Sequence, residues 1–322
     1  MSDVRFIWVA LCVGACSSGD EASTVPSDLG ASPDAAADVA PALDVAADVG
    51  VDPGPAPAPD VGPVELGCPD RERCDLPYCD QVLIPAGEFL MGSVHPPRTD
   101  SHFPSGDERP IHPVQLDAFC IDRYEATLER YEACVDAGFC PPEGLLWEEK
   151  ADGYETVVNH YPPKCSPDRE VCKHYAVNGK NRFQAEHYCA WIGGRLCTEA
   201  EWERVANGPG PQQRIHPWGD DPPTSARVNI PSVGSGYIDP VNSHPAGASV
   251  EGVFNLAGNV YEWVVDAYAP YAPAPDGEAL VNPVYPPPSA EAQVVGRGSC
   301  FFTEPERTVT ERSLFDKTFD WG

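Results

Sequence analysis

Residues 17–67 contain no lysine, no arginine and no aromatic side chain. The segment strings Asp and Glu among Ala, Pro, Val and Gly, as in Ser32-Pro33-Asp34-Ala35-Ala36-Ala37-Asp38-Val39. Such a composition cannot bury enough apolar surface to offset the entropy of ordering its backbone. Like charges and proline keep it extended. Its Ala-Asp-Val recurrences are compositional bias, because the unit is too short to fold as a repeat. Residues 17–67 are therefore read as a disordered tether, and any fold must be built from residues 68–322.

The preceding residues 1–16 give the compartment. Arg5 supplies a minimal positive region, and Phe6 to Val13 form an apolar run too short for a permanent membrane helix. The run ends Val13-Gly14-Ala15-Cys16, then Ser17-Ser18. This resembles a bacterial lipobox, which implies a lipoprotein signal peptide at 1–16, a membrane lipid on Cys16 and an exported chain in the periplasm or at the outer membrane. Ser17, in place of Asp, resembles cargo sent on to the outer membrane. Thirteen cysteines fit an oxidising compartment. A formal net charge of −29 repels phosphate backbones and argues against a nucleic-acid partner.

Within 68–322, Cys68, Cys74 and Cys79 lie close together. No Cys-x-x-Cys pair accompanies them, so disulfides are expected in preference to zinc. Gln81–Pro85 and Glu88–Gly92 read as strands joined by a turn at Ala86-Gly87. Thr127 is a candidate cap for a helix over 127–137 that Gly138 stops. Residues 183–192 repeat the pattern, with Phe183, His187 or Tyr188, and Trp191 on its apolar face. Thr198 and Glu201 have capping-box spacing for a third helix that ends at Gly208. Beyond residue 209 the chain is rich in Pro and Gly and offers short strands such as Ala292–Val295. The fold class expected is α+β with low regular secondary structure, stabilised by disulfides.

Several segments in order carry a resemblance. They are Gly87-Glu88-Phe89-Leu90-Met91-Gly92-Ser93, Ile121-Asp122-Arg123-Tyr124-Glu125-Ala126-Thr127, Tyr188-Cys189-Ala190-Trp191 through Thr198-Glu199-Ala200-Glu201-Trp202-Glu203, Gly252-Val253-Phe254-Asn255-Leu256-Ala257-Gly258-Asn259-Val260-Tyr261-Glu262-Trp263, and Gly296-Arg297-Gly298-Ser299. Together they resemble the formylglycine-generating enzyme, or sulfatase-modifying factor, family over nearly all of 81–322. The first of these segments matches the family's opening hairpin. The fold implied is that family's compact α+β fold, akin to C-type lectins. Trp191, Trp202, Trp218 and Trp263 belong to the matching segments and are read as core.

The resemblance also implies chemistry. The family's founding activity converts a protein cysteine to formylglycine with O₂ and copper(I) held by two thiolates five residues apart, as soft sulfur suits Cu(I). Here Cys300 is the only cysteine from Gly298 to Gly322. It is the sole catalytic candidate, copper is not expected, and a disulfide to Cys197 is the proposed fate of Cys300. The family's hercynine sulfoxide synthase branch holds iron with three histidines, largely on a helical domain that has no counterpart here, so the eight scattered histidines are read as surface or structural. Calcium is the cofactor the resemblance implies, through Asn255, Gly258, Val260 and Glu262, hard oxygen donors in a tight loop. A second calcium site would use Asn229 and Ile230, but its other half reads Ser235-Gly236-Tyr237. Arg307 and Arg312 are expected as core ion-pair partners. The chain resembles a family member cut short before a terminal cysteine, which implies that Cys189 lacks its family partner. The function expected is a membrane-anchored, non-catalytic, calcium-stabilised binding or display domain for an exported protein or a glycan. The alternative is a copper-dependent oxidase that matures sulfatases, and a maturation or assembly factor for other exported proteins is a third reading.

Overall fold

The computed structural model describes residues 8–10, 68, 75–94, 107–142, 161–165, 169–289, 292–302 and 308–316. Cys16, the tether, Cys74, His95, His102, His160 and Arg307 lie outside the described residues. The chain divides into two units, Ser18–Leu66 and the remainder, and all the described residues belong to the latter. No helix among them is long and apolar enough to cross a membrane.

Among the described residues, three small sheets, three short α-helices and three 3-10 turns make up the regular structure. β1 (Trp8–Ala10), β2 (Gln81–Ile84), β5 (Phe119–Asp122) and β6 (Arg195–Leu196) form one sheet in the order β2-β5-β1-β6. β3 (Gly87–Met91), β4 (His112–Leu116) and β8 (Leu280–Val281) form a second, in the order β3-β4-β8. β7 (Glu262–Ala267), β9 (Gln293–Arg297) and β10 (Arg312–Asp316) form a third and antiparallel sheet, in the order β10-β9-β7. The apolar run read from sequence as a signal peptide here contributes β1, paired in parallel to β5 and to β6, and a chain processed at Cys16 would lack this strand.

The expected hairpin at 81–92 does not form. β2 pairs with β5 and β3 with β4, so the two strands enter different sheets. Gly87, the residue that could have turned the chain, is instead the first residue of β3 and does not take the positive φ that a tight hairpin turn demands. The chain therefore crosses from one sheet to the next.

The helices follow their local signals. α1 (Leu128–Asp136) begins at Thr127, whose hydroxyl accepts from the Arg130 amide. α3 (Glu199–Asn207) opens with the expected reciprocal box between Thr198 and Glu201 and ends at Gly208, φ +84°. α2 (Arg182–Trp191) is capped by Asn181 and Gln184, and its buried face holds Tyr188 and Trp191 as expected but not Phe183. Phe183 and His187 are exposed, and Ala185, Tyr188, Cys189 and Ile192 face the core. Arg182 sets this rotation, because its buried guanidinium donates to the carbonyls of Val264 and Val265 on β7.

The core gathers Phe89, Phe119, Tyr131, Tyr188, Trp202 and Trp263 from all three sheets and the helices. Trp191 is buried with them. Trp218 departs from the expected core position: it is half-buried, stacks on His216 and donates to the Asp221 carbonyl. Disulfides Cys68–Cys120, Cys134–Cys140 and Cys165–Cys172 tie down the irregular segments, and Cys79 is disulfide-bonded as well.

Candidate functional site

The loop from Asn255 to Glu262 is held in an unusual backbone path. Asn255 and Asn259 both take positive φ, +60° and +72°, a region that Asn tolerates better than most residues. Between them, a Cβ on Gly258 would meet the Asn229 carbonyl at 2.6 Å, so only glycine fits. The Asn255 amide nitrogen donates to Glu125 Oε2 at 2.7 Å and to the Val241 carbonyl at 2.9 Å. The Asn259 amide nitrogen donates to both Glu125 oxygens, and its carbonyl oxygen accepts from Asn229 and from the Asp239 amide.

Glu125 is thus the hub of this loop, from 130 residues away in sequence. It is fully buried, and the groups that hydrogen-bond to it, the Asn255 and Asn259 side chains and the Val260 amide, are all neutral. Burial pushes its carboxyl up to about 8, against the pull of Asn255, Asn259 and the Val260 amide. Glu262, at the start of β7, is a second buried carboxyl. Its Oε2 accepts from the Trp202 indole, and its Oε1 is buried with no hydrogen-bond partner among the described residues. Burial first, then Trp202 in opposition and the neighbouring Glu125 and Cys197, place its pKa well above the ordinary range.

These features bear on a cation. An orphaned carboxylate oxygen and a second uncompensated carboxyl nearby make the site short of positive charge. The loop fits hard-oxygen coordination: Asn255, the Gly258 and Val260 carbonyls and Glu262 would hold calcium, which would supply the missing charge and fix the loop. No three His, Cys, Asp or Glu side chains converge as a metal-binding group among the described residues, so this set rests on one carboxylate with amide and carbonyl oxygens.

The second set is a poorer fit. Asn229 and Ile230 do come together with Ser235 and Tyr237, but no carboxylate stands among them and their oxygens accept hydrogen bonds. Asn229 Oδ1 accepts from the Ser235 amide, and the Ile230 carbonyl accepts from Val233 and Gly234. Ser235 brings no carboxylate. Asp239, the nearest one bonded to this cluster, is engaged with His244 at 3.1 Å.

A buried ion-pair network lies on the other side of α3. Arg312 donates from Nε and Nη2 to the two oxygens of Glu199 at 2.6 and 2.9 Å, and stacks over Tyr268 and Tyr271. This is the expected core role for Arg312. Arg297 donates to Glu203 at 2.6 Å and to the carbonyls of Val309 and Thr310, over the Trp202 ring. Burial pushes Glu203 up to about 7 while Arg297 pulls it down. Burial likewise opposes the Arg297 charge, but Glu203, Tyr271 and Glu199 outweigh it and raise its pKa. The two shifts pull in opposite senses for one contact. The guanidinium governs, because it does not lose its proton, and Glu203 is charged opposite it at neutral pH.

Cys300 follows β9 and is fully buried, as are Cys189 and Cys197. All three are thiols, so the expected Cys197–Cys300 disulfide does not form. Their backbones are anchored to different places. The Cys197 carbonyl accepts from Val265 within β7, whereas Phe301, beside Cys300, donates to Asn259 ahead of that strand.

The sulfatase-modifying factor enzyme 1-like domain model matches residues 69–319. The chain belongs to this family. Curated relatives include the formylglycine-generating enzyme of Streptomyces coelicolor, 31% identical over 264 residues, covering 68% of this chain and 78% of the relative. The hercynine oxygenase of Mycolicibacterium smegmatis is 30% identical over 233 residues, covering 67% of this chain and 51% of the relative. The chain therefore spans about half the length of the hercynine oxygenases it matches. Among solved structures, PvdO from Pseudomonas aeruginosa superposes with a TM-score of 0.52 at 25% identity, covering 74% of this chain and 88% of that one. Treponema denticola variable protein 1 shares the fold at 19% identity, with a TM-score of 0.51 and coverage of 74% and 89%. The α+β fold poor in regular structure is thus that of the sulfatase-modifying factor family. Within this member, sequence reasoning singled out Asn255 and Glu262 but not Glu125, although that residue stood in a matching segment.

Proposed function

We propose that this sulfatase-modifying factor family member is a non-catalytic, calcium-stabilised binding or display domain, exported and held to a membrane by a lipid on Cys16. The observation that carries the non-catalytic reading is Cys300: it is fully buried, and no cysteine follows it from Phe301 to Gly322. A single enclosed thiol does not supply the two sulfur donors that copper(I) oxidation of a peptide cysteine would need, so the residues present do not fit copper. A second reading, the formylglycine-generating oxidase, is favoured by the 31% identity to enzymes of that name. The test is a peptide carrying Cys-x-Pro-x-Arg, incubated with the protein, Cu(I) and O₂. Its mass should not change. Aldehyde formation that Cys300→Ser abolishes would overturn the proposal.

Calcium is supported by the orphaned Glu262 oxygen and by Glu125 beside the same loop. A ligand at 100 times its dissociation constant stabilises a fold by about 2.7 kcal/mol. For a domain of this size that is a rise in Tm of roughly 5–10 °C. Calcium should produce this shift in chelator-treated protein, and Glu262→Gln should abolish it. An unchanged melting curve on adding millimolar calcium would remove calcium from the reading.

A further inference from the structure

A cleft of about 160 Å³ opens between α3, β4 and the segment that runs from the end of β7 to Tyr285. That segment is tied down at several points. Tyr285 donates its amide to Asp266 and accepts from the Ala267 amide, and β8 pairs with β4, Leu280 opposite Val114. The walls are largely apolar: Met91, Ala200, Leu280, Pro283 and the Tyr285 ring. Val281, Val284 and Tyr285 remain exposed along the same segment, which gives the region an apolar surface.

Charged groups border the cleft but are spent on one another. Arg312 donates to both oxygens of Glu199, and Asp266 accepts from the amides of Glu199 and Tyr285. His112 is different. It is 4% exposed, and its ring packs edge-on against Tyr271. Its Nδ1 lies 2.9 Å from the Pro110 carbonyl, which assigns the proton to Nδ1 and leaves a lone pair on Nε2. Burial lowers its pKa, so the ring is the neutral tautomer at physiological pH. Nε2 has no hydrogen-bond partner among the described residues. His112 thus brings an acceptor that its protein neighbours do not use to the lining of a largely apolar cleft.

Size and chemistry together narrow the ligand. An apolar cavity of roughly 150 Å³ takes up one benzene ring. The rings of Tyr271 and Tyr285 border the cleft and suit an aromatic guest, which favours edge or offset contact with them. We propose that this cleft binds a single phenolic ring, its hydroxyl donating to His112 Nε2. The proposal gives the binding-domain reading a ligand class and rests on that reading only for its purpose. A Cys300-dependent oxidation of peptide would end that reading and leave the cleft as it stands.

The experiment is calorimetric titration of the folded domain with 4-methylphenol and with toluene, which share a ring and differ in the hydroxyl. The phenol should bind about tenfold more tightly, the factor one net hydrogen bond carries. His112→Leu should bind both alike. Ala269→Trp, at the exposed lip, should weaken both and guards against misfolding of the buried variant. Equal affinities in the native protein, no saturable phenol binding, or a preference that survives His112→Leu would each overturn the proposal. A pentapeptide with one central tyrosine separates the sources. If it binds as tightly as the phenol, the ring belongs to a protein partner; if only the free phenol binds, the ligand is a small molecule.

Discussion

Glu203→Ala should cost the domain about 3–5 kcal/mol of unfolding free energy, the range for breaking a buried ion pair by removing one partner. Glu203 and Arg297 are both fully buried, and the loss falls on what remains. Arg297 would keep its charge with only a 3.4 Å contact to Glu199 and two carbonyls to offset it. The Gly92 amide, which donates to Glu203 Oε1 at 2.6 Å, would lose its partner as well. Glu203 thus joins α3, β9 and the end of β3 through one buried carboxylate. Urea unfolding should show a lower midpoint at unchanged slope. The double variant Glu203→Leu with Arg297→Met should recover much of the loss, because a packed apolar pair removes the desolvation cost of both charges. Asp221→Ala is the control. Asp221 pairs with Arg227 at the surface, 70% exposed, so its removal should cost under about 1 kcal/mol. A loss below about 1 kcal/mol for Glu203→Ala itself would refute the argument.

This contrast also marks what could be read from the sequence. Thr127, Thr198 with Glu201, and Gly208 announced two helices, because capping is chemistry between residues three or four apart. On α2 only Phe183 was misplaced, since Arg182 fixes the rotation by reaching β7, 82 residues away. The strands at 81–84 and 87–91 were found but given the wrong partners, because pairing depends on where β4 and β5 arrive. The loop at Asn255–Glu262 was legible as a motif through the family resemblance. Its dependence on Glu125, and that of Arg297 on Glu203, was not, because a carboxylate buried by distant segments leaves no local pattern. Cysteine pairing failed at Cys197 and Cys300 for the same reason: two residues that each replace a usual family residue need not be neighbours.

Acid should stabilise this domain, and Asp266 should account for a defined part of the effect. Burial is the main cause that lifts Asp266 from an ordinary 3.8 to about 7. Repulsion from Glu199 adds to the rise, and the amides of Glu199 and Tyr285 oppose it. The folded state then holds a proton that the unfolded chain has released. The stability this confers is complete below the unfolded pKa and disappears as pH rises through the folded one. The slope is about 1.4 kcal/mol per pH unit between roughly pH 4 and pH 7. Net charge works in the same direction, since a chain with a formal charge of −29 repels itself more as its carboxyls ionise. The native protein alone therefore does not separate the two causes. Asp266→Asn does, because it removes one titration and leaves the overall charge almost intact. Its absolute stability should fall, as the amide would turn an NH2 donor toward one of the two backbone amides that now donate to the carboxyl oxygens. Its dependence on pH from 5 to 7 should nevertheless be shallower than the native slope, by about 1.4 kcal/mol per unit. Parallel slopes for the two proteins would assign the whole effect to net charge and none to the buried carboxyl.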